Sequence, residues 1–237
     1  MFTDIHTHIL HNIDDGPENF EQSLELLKEA VKNGCTKLIA TPHFYAERHS
    51  LAQRLSIAEE RCAQLKNYIA ENQVPVSFLQ GFEVRYFDGI SRIDSLNKLC
   101  INGSKVVLLE LEPLPFTDKV IDEILDLNYF GYTVILAHIE RYAKISGFKA
   151  IKRLIAEGNA VAQCNASAFV SGSFQRPALR LMKEGIVSLI ASDMHSLELR
   201  PPNLHKAYDF IEKKFGTTVK NRLLRNADEM FNVCLKK

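Results

Sequence analysis

Seven short apolar runs, each carrying or leading to a polar side chain at its far end, constrain this chain more than any other feature. The first opens at Phe2 and carries Asp4, His6 and His8. Residues 36–41 lead to Pro42-His43, residues 76–84 carry Glu83, and residues 105–112 carry Glu110. Residues 133–137 lead to His138, 160–164 to Asn165, and 186–191 to Ser192-Asp193-Met194-His195. Helical patterns lie between them. Phe20, Leu24, Leu27 and Val31 recur at spacings of three and four before Gly34, and Leu55, Ala58, Cys62, Leu65 and Ile69 mark a longer helix over 51–72. A short helix over 90–99 and longer ones over 118–127, 148–157, 176–184, 202–215 and 218–235 follow. Continuous apolar strands alternating with helices indicate a parallel sheet covered by helices. The predicted fold class is therefore α/β, a distorted (β/α)7 barrel of TIM-barrel-like type with outer helices. In such barrels the carboxyl ends of the strands form the open, reactive face.

Composition narrows the function. With 237 residues and 46% hydrophobic content the chain is sized for one core, and a single domain over 1–237 is expected. Lys plus Arg and Asp plus Glu number 29 each, so no basic surplus points to nucleic acid. No apolar run approaches the roughly 18 residues that span a bilayer, and no signal core follows the amino terminus. A cytoplasmic protein without membrane insertion is expected. The five cysteines are odd in number, widely spaced and free of any C-x-x-C pair, which fits reduced thiols.

The strand ends define the chemistry. In a regular strand Asp4, His6 and His8 share one face, with the two imidazoles about 7 Å apart, and Asp4 is expected to orient a ligating imidazole. His6, His8, His43, Glu83, Glu110, His138, Asn165, Asp193 and His195 all fall at or near strand ends, whereas His11, His49 and His205 do not. A histidine and carboxylate set without thiolate suits manganese, iron or zinc. More than four ligands leave room for two or three ions. A carboxylate such as Glu83 can bridge two of them, and such a pair generates hydroxide near neutral pH and clamps a phosphoryl group.

Six segments, Asp4-Ile5-His6-Thr7-His8, Asp14-Asp15-Gly16-Pro17, Thr41-Pro42-His43, Gly81-Phe82-Glu83-Val84, Ala137-His138-Ile139-Glu140-Arg141-Tyr142 and Ser192-Asp193-Met194-His195, precede Arg200-Pro201-Pro202. Together they resemble the polymerase-and-histidinol-phosphatase (PHP) superfamily, and within it the bacterial tyrosine-protein phosphatases of capsular and exopolysaccharide synthesis. The resemblance implies a PHP-type barrel with three divalent metal ions, manganese first and iron, zinc or magnesium as alternatives. It implies that His6, His8, Glu83 and Asp193 hold one ion and that Glu83 bridges to a second held by Glu110 and His138. Asp15, His43 and His195 would hold the third. Asp15 and Glu110 stand where the histidinol-phosphatase branch usually has histidine, which favours the tyrosine-phosphatase branch.

The implied activity is metal-dependent hydrolysis of phosphotyrosine on a partner protein, a bacterial tyrosine autokinase or a related one, with in-line attack on phosphorus. Arg141 and Arg200 are the candidates for clamping phosphate, because a guanidinium donates two parallel hydrogen bonds to it. Arg48 and Arg85 are expected to be solvated. Asp14 is expected to form a turn, and Glu112, followed by Pro113, to lie already in the loop. A thiol phosphatase is excluded, since none of the five cysteines is followed six positions later by arginine. The competing readings are a PHP phosphoesterase acting on a small molecule such as histidinol phosphate, and a non-catalytic regulatory module that retains metal.

Overall fold

The computed structural model describes residues 1–236. The first half runs β1 (Phe2–Thr7), α1 (Phe20–Lys32), β2 (Cys35–Ala40), β3 (His43–Phe44), α2 (Leu51–Glu71), β4 (Ser77–Gln80), β5 (Glu83–Arg85) and β6 (Val106–Glu110). Then come α3 (Asp118–Tyr129), β7 (Thr133–Leu136), α4 (Ile139–Ile145), α5 (Phe148–Glu157), β8 (Val161–Asn165) and α6 (Ser167–Val170). The chain ends with α7 (Gln175–Lys183), β9 (Leu189–Ala191), α8 (Leu204–Phe215) and α9 (Thr217–Leu235).

Every strand pair is parallel. The hydrogen-bonded order is β1-β2-β4 in one sheet and β3-β5-β6-β7-β8-β9 in the other. Two breaks separate the sheets. β2 reaches β3 through Thr41-Pro42, and β4 reaches β5 through Gly81-Phe82. Pro42 has no amide hydrogen to donate to a ladder, so the register is interrupted there. The chains stay together nonetheless: Gly81 N–H donates to Ala40 O at 2.8 Å and Glu83 N–H to Pro42 O at 3.1 Å. At the other edge β1 meets the chain after β9, where Asp193 N–H donates to His6 O (3.0 Å) and His8 N–H to Met194 O (2.9 Å). Seven strand segments thus follow one another in chain order, joined at this seam by a bridge between Thr7 and Met194.

Alternation within strands divides the core. On β6, Val106 and Leu108 belong to an inner cluster with Ile5, Ile39, Ile135 and Leu189, while Val107 and Leu109 belong to an outer cluster under the helices. Helix α9 completes the inner cluster with Phe231, which is buried. Its polar neighbours lie at the amino-terminal ends of strands. Asp228 accepts from the Thr3 hydroxyl and from Lys37 Nζ, and Asn226 Nδ2 donates to Ser188 O. The helix therefore covers the amino-terminal end and leaves the carboxyl end to the site.

Three sequence expectations change in detail. The run 76–84 is two strands in different sheets, because the chain bends at Gly81. The helix expected over 90–99 is a series of 3-10 turns, Ile90–Arg92, Leu96–Lys98 and Ile101–Gly103. Helices α4 and α6, of 7 and 4 residues, are too short for a periodic signal. At the bend, a Cβ on Gly81 would sit 2.8 Å from Ile101 Cα. Gly81→Ala is expected to cost about 2 kcal/mol through overpacking, read as a fall in melting temperature of about 5 °C. An unchanged melting temperature would mean that the bend yields without cost.

Candidate metal centre

Where β1 meets β2 the register slips: Asp4 pairs with Leu38 and Thr7 with Ala40, so three steps on β1 face two on β2. Such a bulge re-aims side chains. It separates Asp4 from His6 and His8, which a regular strand would place on one face. Asp4 accepts a hydrogen bond from Ser192 N–H at 3.0 Å and lines a small space with Phe2, Cys35 and Leu204. Burial pushes its pKa up to about 6, against the hydrogen bonds from Ser192. It fastens β1 to the Asp193 loop and orients no imidazole.

His6 and His8 turn their Nε2 atoms to within 3.1 Å of each other. The same atoms lie 3.4 and 3.2 Å from Glu83 Oε2, and both lie 3.5 Å from Asp193 Oδ1. Glu83 is the hub. Its Oε2 is 2.8 Å from His43 Nδ1, and its Oε1 is 2.8 Å from His138 Nε2, which stands 3.6 Å from Glu110 Oε1. On the outer side Asp15 Oδ1 lies 3.2 Å from His195 Nε2 and 3.5 Å from His43 Nε2. All nine candidate ligands meet in this patch. Eight of them supply donor atoms in three groups within metal-ligating reach: His8, Asp15, His43 and His195; His6, His8 and Asp193; and His43, Glu83 and Glu110. His138 is in none of the three and joins the patch through Glu83 and Glu110. His8 and His43 belong to two groups each, so the partition between ions is less separate than the resemblance implies.

The donors fit cations. Ligands about 2.1 Å from a tetrahedral centre stand about 3.4 Å apart, and the spacing among His6, His8, Glu83 and Asp193 runs from 3.1 to 3.5 Å. His43 Nδ1, Glu83 Oε2 and His195 Nε2 are fully covered and, although His43 Nδ1 faces Glu83 Oε2 at 2.8 Å and His195 Nε2 faces Asp15 Oδ1 at 3.2 Å, none of the three makes an aligned hydrogen bond. Buried polar atoms are seldom left so, and donor nitrogens converging with carboxylate oxygens are what a divalent ion requires.

The electrostatics have the same origin. Burial disfavours charge on Glu83, but the imidazoles of His6, His138 and His43 hold its carboxyl well below the usual range. Burial likewise opposes charge on His8, and Asp14 outweighs it, raising His8 well above the ordinary imidazole value. Asp14 in turn is held down at about 2 by His8, in spite of its burial. His195 moves the other way, lowered by burial and by its neighbour His8. The close approach of His195 Nε2 at 3.2 Å and the nearby Arg200 keep the Asp15 carboxyl far below the normal range.

Among the residues that hold these donors in place, sequence reasoning missed Gln163 and Arg54 and read Asp14 only as a turn former. Asp14 makes its turn, accepting from Gly16 N–H, but its Oδ2 also takes His8 Nδ1 at 2.7 Å and His43 N–H at 3.0 Å. That leaves His8 Nε2 free for the centre. Gln163 does the same for His6, with Oε1 3.2 Å from Nδ1 and accepting His138 N–H at 3.0 Å. Its amide donates to Asn165 Oδ1, and Asn165 Nδ2 donates to Asp193 Oδ2 at 2.6 Å. Tyr142 Oη lies 3.2 Å from His138 Nδ1 and is anchored on Leu111 N–H and O. Glu140, buried at the start of α4, accepts from Asn165 N–H. Arg54 reaches from α2 to the carbonyls of His43 and Ile13, tying the segment before the Asp14-Asp15 turn to the start of β3. Its place four residues before Ala58, in line with the apolar stripe of α2, was the available signal for it.

His138 and Asp193 have φ of 35° and 54°, left-handed backbone that non-glycine residues rarely adopt. Such strain collects at functional sites, where the surrounding bonds enforce it. Arg141 Nη2 donates to Asp193 Oδ2 at 2.7 Å, and Arg200 Nη2 donates to Asp15 Oδ2. Both arginines stand at the rim of the patch. Arg48 is solvated as expected, but Arg85 is not: its Nε and Nη2 hold Glu110 Oε2 at 3.0 and 2.9 Å, over the ring of Tyr45. Glu112 lies exposed beyond β6.

Comparison with known proteins follows the same lines. The profile of the family described as "Capsular polysaccharide synthesis, CpsB/CapC" matches residues 2–232. The tyrosine-protein phosphatase CpsB of Streptococcus agalactiae serotype III (strain NEM316) is 27% identical over 242 residues, covering 96% of this chain and 97% of its own. The tyrosine-protein phosphatase YwqE of Bacillus subtilis (strain 168) is 28% identical over 231 residues, covering 95% and 89%. Among solved structures, a chain from the crystal structures of YwqE from Bacillus subtilis and CpsB from Streptococcus pneumoniae, described as unique metal-dependent tyrosine phosphatases, superposes with a TM-score of 0.87. It shares 25% identity and covers 98% of this chain and 94% of its own. HisK from Listeria monocytogenes, at 14% identity, a TM-score of 0.55 and coverage of 81% and 95%, shares the fold. Matched over nearly its whole length, the chain belongs to the CpsB/CapC family of capsular polysaccharide synthesis.

Proposed function

We propose that this protein is a metal-dependent protein-tyrosine phosphatase that acts on a tyrosine-phosphorylated partner, a bacterial tyrosine autokinase or a related protein of capsule or exopolysaccharide synthesis. The observation that carries this is the convergence of nine histidine and carboxylate donors, three of them with covered atoms that make no aligned hydrogen bond, in a chain of this family. His6, His8, Glu83 and Asp193 are the proposed ligands of one divalent ion, Glu83, Glu110 and His138 of a second, and Asp15, His43 and His195 of a third. Manganese is the proposed metal. When bound, such ions lower the pKa of water and neutralise charge on phosphoryl oxygens.

The chain's own groups do the rest. Asp14, Gln163 and Tyr142 hold the Nδ1 sides of His8, His6 and His138, so that the Nε2 atoms face the centre. Arg141 and Arg200 keep N–H donors free at the rim, where they orient the phosphate for in-line displacement. Tyrosinate, with a pKa of about 10, leaves without strong acid assistance. No helix among the described residues is long and apolar enough to cross a membrane.

Purified protein assayed with a phosphotyrosine peptide and with histidinol phosphate, each with Mn²⁺ and with chelator, tests this reading. Metal-dependent phosphate release from the peptide is expected. Its absence sinks the proposal, and preferential turnover of histidinol phosphate replaces it with a small-molecule phosphoesterase. Tyr142→Phe, which keeps the buried ring and removes the hydroxyl at His138, is expected to weaken apparent Mn²⁺ affinity by about ten-fold. A metal titration of activity with an unshifted midpoint would reduce Tyr142 to packing.

A further inference from the structure

Two clefts of opposite charge flank the centre. On the Asp193 side a cavity of about 220 Å³ opens between α6 and the start of α8, walled by Arg141, Arg200, Lys206, Ser167, Ser171 and Asn203. On the Asp15 side a cavity of about 380 Å³ is lined by Asp15, Glu18, Glu25 and Glu198, with no lysine or arginine. The loop from Ser196 to Arg200, pinned by an antiparallel bridge between those two residues, separates the clefts, and Leu199 lines both. Leu199 is 88% exposed, an apolar ridge beside the reacting position.

The basic cleft is only partly neutralised. Arg141 and Arg200 are engaged with Asp193 and Asp15, but each guanidinium has further N–H donors. Lys206 is exposed and makes no ion pair among the described residues. Asn203 is 8% exposed, and its Oδ1 is covered and without a partner. With Oδ1 turned into the protein, Nδ2 makes no side-chain hydrogen bond among the described residues and can present its N–H₂ to a ligand in the cavity. The first turn of α8 adds free backbone N–H groups and the positive end of a helix dipole. Every one of these features favours an anion. The phosphoryl group at the centre uses one side of the arginines, and Lys206, Asn203 and the serine hydroxyls lie on the wall beyond them.

We infer that the Arg141, Arg200 and Lys206 cleft is a subsite for a second anionic group of the substrate, a carboxylate or a further phosphate near the phosphotyrosine. This rests on the phosphatase reading and assigns its preferred substrate class: peptides with acidic rather than basic surroundings. The acidic cleft across the Leu199 ridge repels the same group, so the charge pattern orients the peptide as well as selecting it.

The test measures kcat/KM, with Mn²⁺ at low and high salt, for phosphotyrosine peptides flanked by neutral residues, by glutamate, by a second phosphorylated residue and by lysine. Wild type is expected to favour the two acidic kinds over the neutral peptide by roughly five-fold, with the preference fading at high salt. Lys206→Glu is expected to erase that preference while leaving the neutral peptide unchanged. A larger gain from the second phosphate identifies phosphate as the source of the anion, and equal gains identify charge alone; both support the subsite. Equal turnover of all peptides, a preference for lysine, or an acidic preference that survives Lys206→Glu overturns it. Turnover of the neutral peptide keeps these outcomes distinct from failure of the phosphatase reading, in which no phosphotyrosine peptide is hydrolysed.

Discussion

Glu83→Gln is expected to lower kcat/KM on a phosphotyrosine peptide by about a thousand-fold while the chain stays folded. The two Glu83 oxygens face four imidazoles: His6, His8 and His43 on Oε2, and His138 on Oε1. Glutamine keeps the volume and removes the charge, so the inner cluster beneath it is untouched. What disappears is the one carboxylate able to serve two of the proposed metal positions at once. Metal analysis should show less bound Mn²⁺, and circular dichroism an unchanged spectrum. Activity within ten-fold of wild type with full metal content would remove Glu83 from the centre. Loss of structure in metal-free protein would instead assign it to the fold.

Replacing Arg141 or Arg200 with alanine is expected to cost about a hundred-fold in kcat/KM, with lysine restoring only part of the loss. Lysine keeps the charge but not the planar fork that matches a phosphate. Arg141 also holds Asp193, so its loss has two readings that metal content separates. Asp193 Oδ2 keeps its bond from Asn165 Nδ2 at 2.6 Å, and Oδ1 keeps the approaches of His6 and His8. Metal occupancy should therefore survive in Arg141→Ala. Retained metal with lost turnover supports a direct role at the phosphate; lost metal would make Arg141 a positioning residue for Asp193.

The donors themselves were legible because two periodicities and one topological rule suffice to find them. Apolar runs mark buried parallel strands, helical repeats mark the crossovers, and the open face lies at the carboxyl ends. His43, Glu110, His138 and His195 each stand at such an end, and the structure gathers them. Asp15 came from the resemblance rather than from strand geometry, since it sits in a turn of the loop after β1. The interruption at Gly81-Phe82 was hidden within one continuous apolar run. Arg85 was misread although alternation puts it on the same strand face as Glu83, where it pairs with Glu110 on the next strand.

What the amino-acid sequence determined by itself was the inventory of donors, their placement at strand ends, and the family to which such an arrangement belongs. These depend on local propensity and on spacing along one segment at a time. The tertiary structure decided how the donors share their neighbours, which nitrogen of each imidazole faces the centre, and that Asp4 turns away. Those features rest on contacts such as Gln163 with His6, 157 residues apart, and Asp4 with Ser192, 188 residues apart. They also rest on a one-residue slip between β1 and β2, which no periodicity within β1 encodes because it arises from the pairing of two strands.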